Sequence, residues 1–403
     1  MTARYPTTAL IALMVLSAAL ATAAPIENPA DPPGKRQALT LSETWRAGGD
    51  DDEVFFGSIG RVLAGPDQTI LVLDNQLAQV QVYDKDGNFQ KTLGREGDGP
   101  GEVRGPADVF YVPDGRLCIP QGFPGRLVFL NDDGTPGGQG QYQPKAEPST
   151  FYVMVAGRPA KDGMLLAGIR FSQSGGPQAE QTFFLSQCNS EGQEQVVFME
   201  KQYAINYADF RLDEAAMDFV WGGRMAIDAK GNVYTAPNRN EYLIRVQNSK
   251  GDVVLEFTRP VSIPERDAEE HDIAVKIHEG IGANYGVPLQ GVSVESKDAA
   301  VSGLFVRPNG DIWVMTPANE APEGAFALVD VFSSKGRFSY QMVINAPGDP
   351  DRDGLHVLDD DRLAIVVGGL DAWLSQQGVE GSSEDAAVLE VVVYDAFCCE
   401  PEL

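Results

Sequence analysis

The sequence predicts an all-β fold: a six-bladed β-propeller closed by an N-terminal strand, with a short helical insertion between blades four and five. Three observations predict it. A short polar turn followed by an apolar strand recurs six times. The chain is rich in turn formers, with 43 Gly and 26 Pro in 403 residues. A surplus strand near the N-terminus also matches a missing strand near the C-terminus.

The repeat is clearest over residues 69–108. Residues 70–73 form a short aliphatic run that ends in the turn formers Asp74 and Asn75. Val80 and Val82 then alternate with polar residues up to Tyr83, the period-2 signature of a strand. Residues 84–88, D-K-D-G-N, make a hairpin turn, because Gly accepts positive φ and Asp bonds its own backbone. Residues 89–93 return, and a Gly- and Pro-rich connection leads to the next strand.

Aligning the turns places the second strand of each repeat at Ile70, Leu117, Leu165, Val233, Ile312 and Leu363. The turns ahead of them read P-D-Q-T, P-D-G-R, K-D-G-M, A-K-G-N, P-N-G-D and D-D-D-R. The intervals are 47, 48, 68, 79 and 51 residues. Units of that length with about four strands each are propeller blades. The last copy has one further good strand, residues 388–394, and lacks a fourth. The first copy has one to spare, residues 38–45, ahead of its inner strand at residues 60–64. Pairing the spare strand with the last blade removes an exposed edge. The propeller domain is therefore expected over residues 38–398.

The stretch V-Q-V-Y-D-K-D-G-N-F-Q-K-T-L-G-R-E-G-D-G-P-G-E-V-R-G-P-A-D, residues 80–108, resembles an NHL-type repeat of six-bladed propellers. A-I-D-A-K-G-N-V-Y-T-A at residues 226–236 is similar to the same consensus. The likeness is good in blades one and four, fair in two, five and six, and poor in three. It implies a fold and not an activity, because such propellers include binding proteins and several enzyme classes.

Residues 1–24 carry a positive Arg4, an apolar run at residues 9–20 and the small-residue sequence Ala21-Thr22-Ala23. That is the pattern of a signal peptide, too short in its apolar part to span a bilayer. An exported protein, periplasmic or secreted, is expected. Residues 25–37, Pro-rich and polar, are expected to be a disordered leader. The formal charge of −27 disfavours nucleic acid and anionic membranes as partners. A small anionic ligand or a protein partner remains, with a monomer as the expected state. Cys118, Cys188, Cys398 and Cys399 match no zinc spacing and leave three disulfide pairings open.

Function is expected on the face that carries the long connections, since long loops on a rigid scaffold are where binding residues gather. The largest spans residues 259–300, where Pro264 and the acids after it start like a helix. His271 and His278 on it are seven residues apart, too far for one metal. Arg61 and Arg224 share one repeat position on opposite blades, where the NHL pattern has Gly. They are expected to face each other across the central channel and to clamp a carboxylate or phosphate. Asp108 holds the same place in blade two and is a candidate partner for Arg61. Trp221, in an aromatic loop, and His356, on the last inner strand, complete the candidate ligand site.

Asp349, Asp351 and Asp353, with Gly354 and Asp360, have the spacing of a calcium loop, so calcium is the one cofactor the sequence suggests. No nucleophile motif or phosphate-cradling loop is present. Lyases similar to NHL propellers hold zinc by channel histidines, and here His356 alone falls on an expected inner strand. The first reading is therefore a ligand- or protein-binding propeller without catalysis. The alternative is a calcium-dependent, lactonase-like hydrolase, which needs several carboxylates converging at the channel mouth.

Overall fold

The structure is a computed structural model and describes residues 24–49, 54–145, 151–173, 176–221, 223–379 and 388–401. The expected signal peptide lies outside the described residues but for its last one.

The chain begins with β1 (Ile26–Glu27) and β2 (Gln37–Gly48). Antiparallel meanders follow. The first is β3 (Ile59–Ala64), β4 (Ile70–Asp74), β5 (Gln79–Tyr83) and β6 (Phe89–Leu93). The second is β7 (Phe110–Tyr111), β8 (Leu117–Pro120), β9 (Arg126–Leu130) and β10 (Pro136–Gln141). The third has the longest strands: β11 (Phe151–Ala160), β12 (Gly163–Gln173), β13 (Gln178–Cys188) and β14 (Glu194–Asn206). After β15 (Arg211–Asp213) and α1 (Glu214–Met217) comes the fourth: β16 (Met225–Ile227), β17 (Val233–Thr235), β18 (Leu243–Gln247) and β19 (Val253–Thr258).

The helix α2 (Ala268–Ala283) and β20 (Gly291–Ser293) precede the fifth: β21 (Gly303–Val306), β22 (Ile312–Met315), β23 (Ala327–Phe332) and β24 (Phe338–Ile344). The last meander is β25 (Gly354–Val357), β26 (Arg362–Val367), then α3 (Gly369–Gln376) and β27 (Glu390–Pro401). Its fourth strand is β2, antiparallel to β27 from Gln37 opposite Pro401 to Gly48 opposite Glu390.

The arrangement is a propeller. The first strands touch one another, β25 with β3, β7 with β11, β11 with β16 and β16 with β21, so they gather about one axis. The second strands are buried on both faces, because each meander packs its neighbours on either side: Ile70, Leu71, Val72 and Leu73 are all buried. That is why they read as unbroken apolar runs. Outer strands such as β6 and β10 are mostly exposed and polar.

One turn recurs at the meander hairpins. Asp84 N–H donates to Asn88 O, Gly87 N–H donates to Asp84 O, and the Asp84 carboxylate accepts from Asp86 N–H and Asn88 N–H. Asn131, Asn189, Asp228 and Asn248 make the same pair of backbone bonds, each with Gly three residues on. The geometry requires positive φ at that Gly, 83° at Gly87. At Gly87 space decides as well, because an added Cβ would lie 2.5 Å from Trp45 of β2. Trp45 in turn stacks on Tyr83 at 5.2 Å, so β2 is fastened to the first meander while hydrogen-bonded into the last.

The expected disordered leader is corrected. β1 pairs in parallel with β19, and the Asn28 amide donates to Thr258 O and Gly336 O while its oxygen accepts from Phe338 N–H. Gly34 N–H then donates to Ser339 O, and residues 37–39 lie parallel to β24. The polar, Pro-rich composition lacks a strand pattern of its own. The leader is ordered by free backbone groups on the outer edges of two meanders, which sequence periodicity does not register.

Candidate functional site

Four polar residues on or beside the first strands form a cluster near the axis. Arg61 lies on β3, Asp108 just ahead of β7, Arg158 on β11 and His356 on β25. Asp108 is buried and accepts from its neighbour Val109 N–H at 2.8 Å, from Gly157 N–H at 3.0 Å and from Arg158 Nη1 at 2.6 Å. Arg158 therefore takes the place expected for Arg61. It was missed because the repeat is faint in the third meander. There Arg158 sits opposite Leu165, the first aligned residue of its second strand, whereas Arg61 sits opposite Leu73, the fourth.

Arg61 is left with an Nε that is fully buried and makes no hydrogen bond. Desolvation, and then the charge of Arg158, lower its pKa to about 10, with Asp108 acting the other way. His356 accepts the Val62 N–H at Nδ1, at 3.4 Å, which leaves the proton of the neutral ring on Nε2. Its burial, followed by the charges of Arg61 and Arg158, pushes its pKa down to about 3. The ring is therefore neutral at any physiological pH. The centre holds two cations and one carboxylate.

The expected clamp of Arg61 opposite Arg224 does not form. Arg224 is buried, and its Nη2 donates to Asp218 Oδ1 at 2.5 Å and to Phe219 O. The charges acting on it are those of Asp218 and Arg239, while those acting on Arg61 are Arg158 and Asp108. The connection ahead of β16 folds back and supplies Arg224 with partners, a feature of loop shape that repeat position cannot reveal. Trp221 serves that loop. It packs on Phe183 at 5.4 Å and Phe219 at 4.7 Å, within an apolar cluster, rather than beside Arg61.

The calcium-loop residues do not converge. Asp349 Oδ1 accepts from Asp351 N–H, and the Asp353 carboxylate accepts from Asp349 N–H and Gly368 N–H. Asp360 lies beyond the far end of β25, accepting from Asn309 N–H and 3.5 Å from Arg307 Nε. A calcium loop curls back to its twelfth position, but here residues 354–357 run as an extended strand and carry it away. Among the described residues, no group of three or more His, Cys, Asp or Glu side chains is placed to hold one metal ion. The hydrolase alternative asks for converging carboxylates. Asp108, its candidate on the first strands, is committed to Arg158 and Gly157.

The acidic loop has another role, as a wall of a pocket of about 300 Å3 that His356, Gly60, Gly354, Asp351 and Arg352 line. Arg352 is braced by Asp371 of α3 and Glu269 of α2, at 3.1 Å and 2.8 Å. Asp351 is exposed as a residue, yet its carboxyl pKa is pushed up to about 6, by desolvation first and then by Asp349, Asp298 and Glu270. Gly354 keeps the His356 edge open, since a Cβ there would lie 3.4 Å from Nε2. The pocket itself could not be read from the sequence, although the proximity of Asp351, Gly354 and His356 along the chain was a signal for it.

A propeller with a charged centre beside its axis is the class of protein these features define. A family model described as 6-bladed beta-propeller, DUF5128, matches residues 50–111, well under half of the chain. Among solved structures, a member of the duf4221 family from Bacteroides vulgatus is 10% identical, with 91% of this chain and 99% of that one covered and a TM-score of 0.48. A Bacteroides fragilis protein described as a candidate exported protein is 13% identical over 91% and 98%, with a TM-score of 0.47. A gluconolactonase from Xanthomonas campestris is 14% identical over 92% and 98%, with a TM-score of 0.41. Among curated proteins, none matches. The propeller assignment rests on strand order and on the contacts among first strands, not on these likenesses.

Proposed function

We propose that this protein is an exported, six-bladed propeller that binds a small ligand beside its axis on the long-loop face, without catalysis. The export reading is supported by the signal-peptide pattern of residues 1–24. Six meanders are counted when β2 is assigned to the last one, which supports the blade number. Among the described residues no helix is long and apolar enough to cross a membrane.

The observation that carries the binding function is the unpaired Nε of Arg61, buried beside a second guanidinium and a neutral His356 that lines a pocket. A buried cation without its own counter-charge is costly to keep. A site that retains one has a use for it, and anion recognition is what guanidinium groups supply. The test is a small-molecule thermal-shift screen on the wild type and on Arg61→Ala. Ligands that raise the Tm of the wild type and not of the variant are the expected result. A screen in which every hit stabilises both proteins equally would remove Arg61 from function.

A further inference from the structure

We infer that a second site lies on the short-turn face, where a cleft at the ends of β7, β11 and β16 takes a small monocarboxylate with an apolar body. The body sits among the strand ends, and the carboxylate turns to Lys161 at the rim. This inference goes beyond the binding function proposed above and does not depend on it.

Position separates the two sites. The pocket beside His356 is lined by Ile59 and Gly354, the first residues of β3 and β25. The cleft is lined by Tyr111, Ala160 and Ile227, the last residues of β7, β11 and β16. First strands of a propeller run the same way along the axis, so the two openings lie on opposite faces.

The cleft is open because its rim lacks bridges. Elsewhere on this face long side chains tie one meander to the next: Arg307 Nη2 donates to Asp360 O, and Arg362 Nη1 donates to Gln68 O. Among the described residues no side-chain bond joins the short turns of the second, third and fourth meanders. Pro113, Pro159 and Ala229 stand at those turns instead, and none of them carries a polar side chain.

Composition then selects the ligand. The volume is about 380 Å3, within the range of small-molecule sites, which are mostly apolar with a few polar groups. Val112 and Ala160 in its wall are buried, while Tyr111 and Ile227 are half-buried and offer apolar surface. Covering that surface supplies most of the affinity. Two charged side chains line the cleft, Lys161 and Asp228. Asp228 Oδ1 accepts from Lys230 N–H and Asn232 N–H, and Oδ2 accepts from the Asn232 amide and the Tyr234 hydroxyl. Its oxygens are taken up by its own turn. Lys161 has neither a hydrogen bond nor an ion pair among the described residues, so the free charge of the cleft is positive. Lys161 is exposed, and such a charge sets the sign and orientation of a ligand more than its affinity. In a chain of net charge −27, one negative charge on the ligand meets less repulsion than several.

The experiment uses the purified protein and four probes: hexanoate, acetate, hexanol and hexylammonium. Binding is read by isothermal titration calorimetry. Hexanoate binding at one site per chain, about tenfold or more tighter than acetate, is the expected result. Hexanol, with the same body and no charge, should bind about threefold more weakly than hexanoate, and hexylammonium more weakly still. Lys161→Gln should remove the preference for hexanoate over hexanol and leave hexanol unchanged. Ala229 is exposed in its turn, so Ala229→Leu fills the cleft without disturbing the core and should weaken hexanoate about tenfold. Equal affinity of hexanoate for the wild type and Ala229→Leu overturns the inference, as does a failure of hexanoate to bind. Hexylammonium binding as tightly as hexanoate overturns the ligand class. Hexanoate binding that Arg61→Gln abolishes and Ala229→Leu spares belongs to the opposite face, which overturns the second site and leaves the function proposed above standing.

Discussion

His356 and Asp351 share a pocket and respond to acid in opposite ways. The folded pKa of His356 is lowered from 6.5 to about 3. Its contribution to stability is complete above pH 6.5 and is lost as pH falls toward 3, because the unfolded chain takes up the proton first. At pH 5 this costs about 2 kcal/mol relative to pH 7.5. Asp351 is raised from 3.8 to about 6, so its contribution is complete below 3.8 and is lost as pH rises through 6. Between those values the two slopes oppose each other. Urea unfolding of the wild type and His356→Gln at pH 5 and 7.5 separates them. The variant should lose about 2 kcal/mol less on acidification, and parallel losses would contradict the half-buried neutral ring. Arg224 makes a different point at the same scale. It is a structural ion pair, so Arg224→Ala should cost about 3–5 kcal/mol by stranding Asp218, while leaving the ligand binding proposed beside Arg61 unchanged. A ligand affinity that falls with Arg224→Ala in protein still folded would return it to the site.

At the scale of elements, legibility tracked how much of a strand's environment comes from its own neighbours in sequence. The second strands at Ile70, Leu117, Val233 and Ile312 begin where the turns placed them; ahead of the last three the turn uses its own Asx side chain and Gly. The spare strand was equally legible from alternation. The third meander was not. Its strands run to 13 residues, and their outer reach packs on the loop around Phe210 and Phe219, a partner distant in sequence. That loss of register hid Arg158, and with it the true partner of Asp108. The expected helix after residue 264 appears as α2, capped by Asp267 and Glu270 in a reciprocal pair. Asp267→Ala should cost about 1 kcal/mol, measurable by urea unfolding; no loss would mean the helix is held by packing alone. Asn28 offers a sharper test of the leader. It is buried, and its side chain bonds the backbones of β19, β24 and the turn between β23 and β24. Asn28→Ala should cost about 1–3 kcal/mol, whereas a truly loose leader would show no change.

For the whole molecule the acid surface and the basic centre are complementary facts. A chain of net charge −27 repels other copies of itself, while on the reading proposed above the guanidiniums near the axis make a local well for a small negative group. Closure is the other property of the whole. Deleting residues 38–46 removes the outer strand of the last meander and takes Trp45 from its stack on Tyr83. Such a protein should aggregate or melt far below the wild type, as an opened sheet edge invites pairing; an unchanged Tm would rule out the strand exchange.

The same pairing reverses the order of making and placing. Residues 37–48 leave the ribosome well ahead of β27, the strand they must join. The five meanders between them have to emerge before that seam can be sewn. Contacts this distant in sequence form slowly. Through that interval the uncommitted segment has an edge looking for a mate, and any neighbouring nascent copy offers an identical one. On the export reading proposed above, the chain arrives across the membrane with its β2 segment free and β27 still in transit. Spontaneous completion is thus a race between self-closure and exchange with a sister chain. Refolding the purified protein from denaturant at rising concentration should raise the yield of strand-exchanged dimers, detectable by size-exclusion chromatography. A purely monomeric product at every concentration would mean the first strand waits docked on β19 and β24, as its β1 and Asn28 contacts allow.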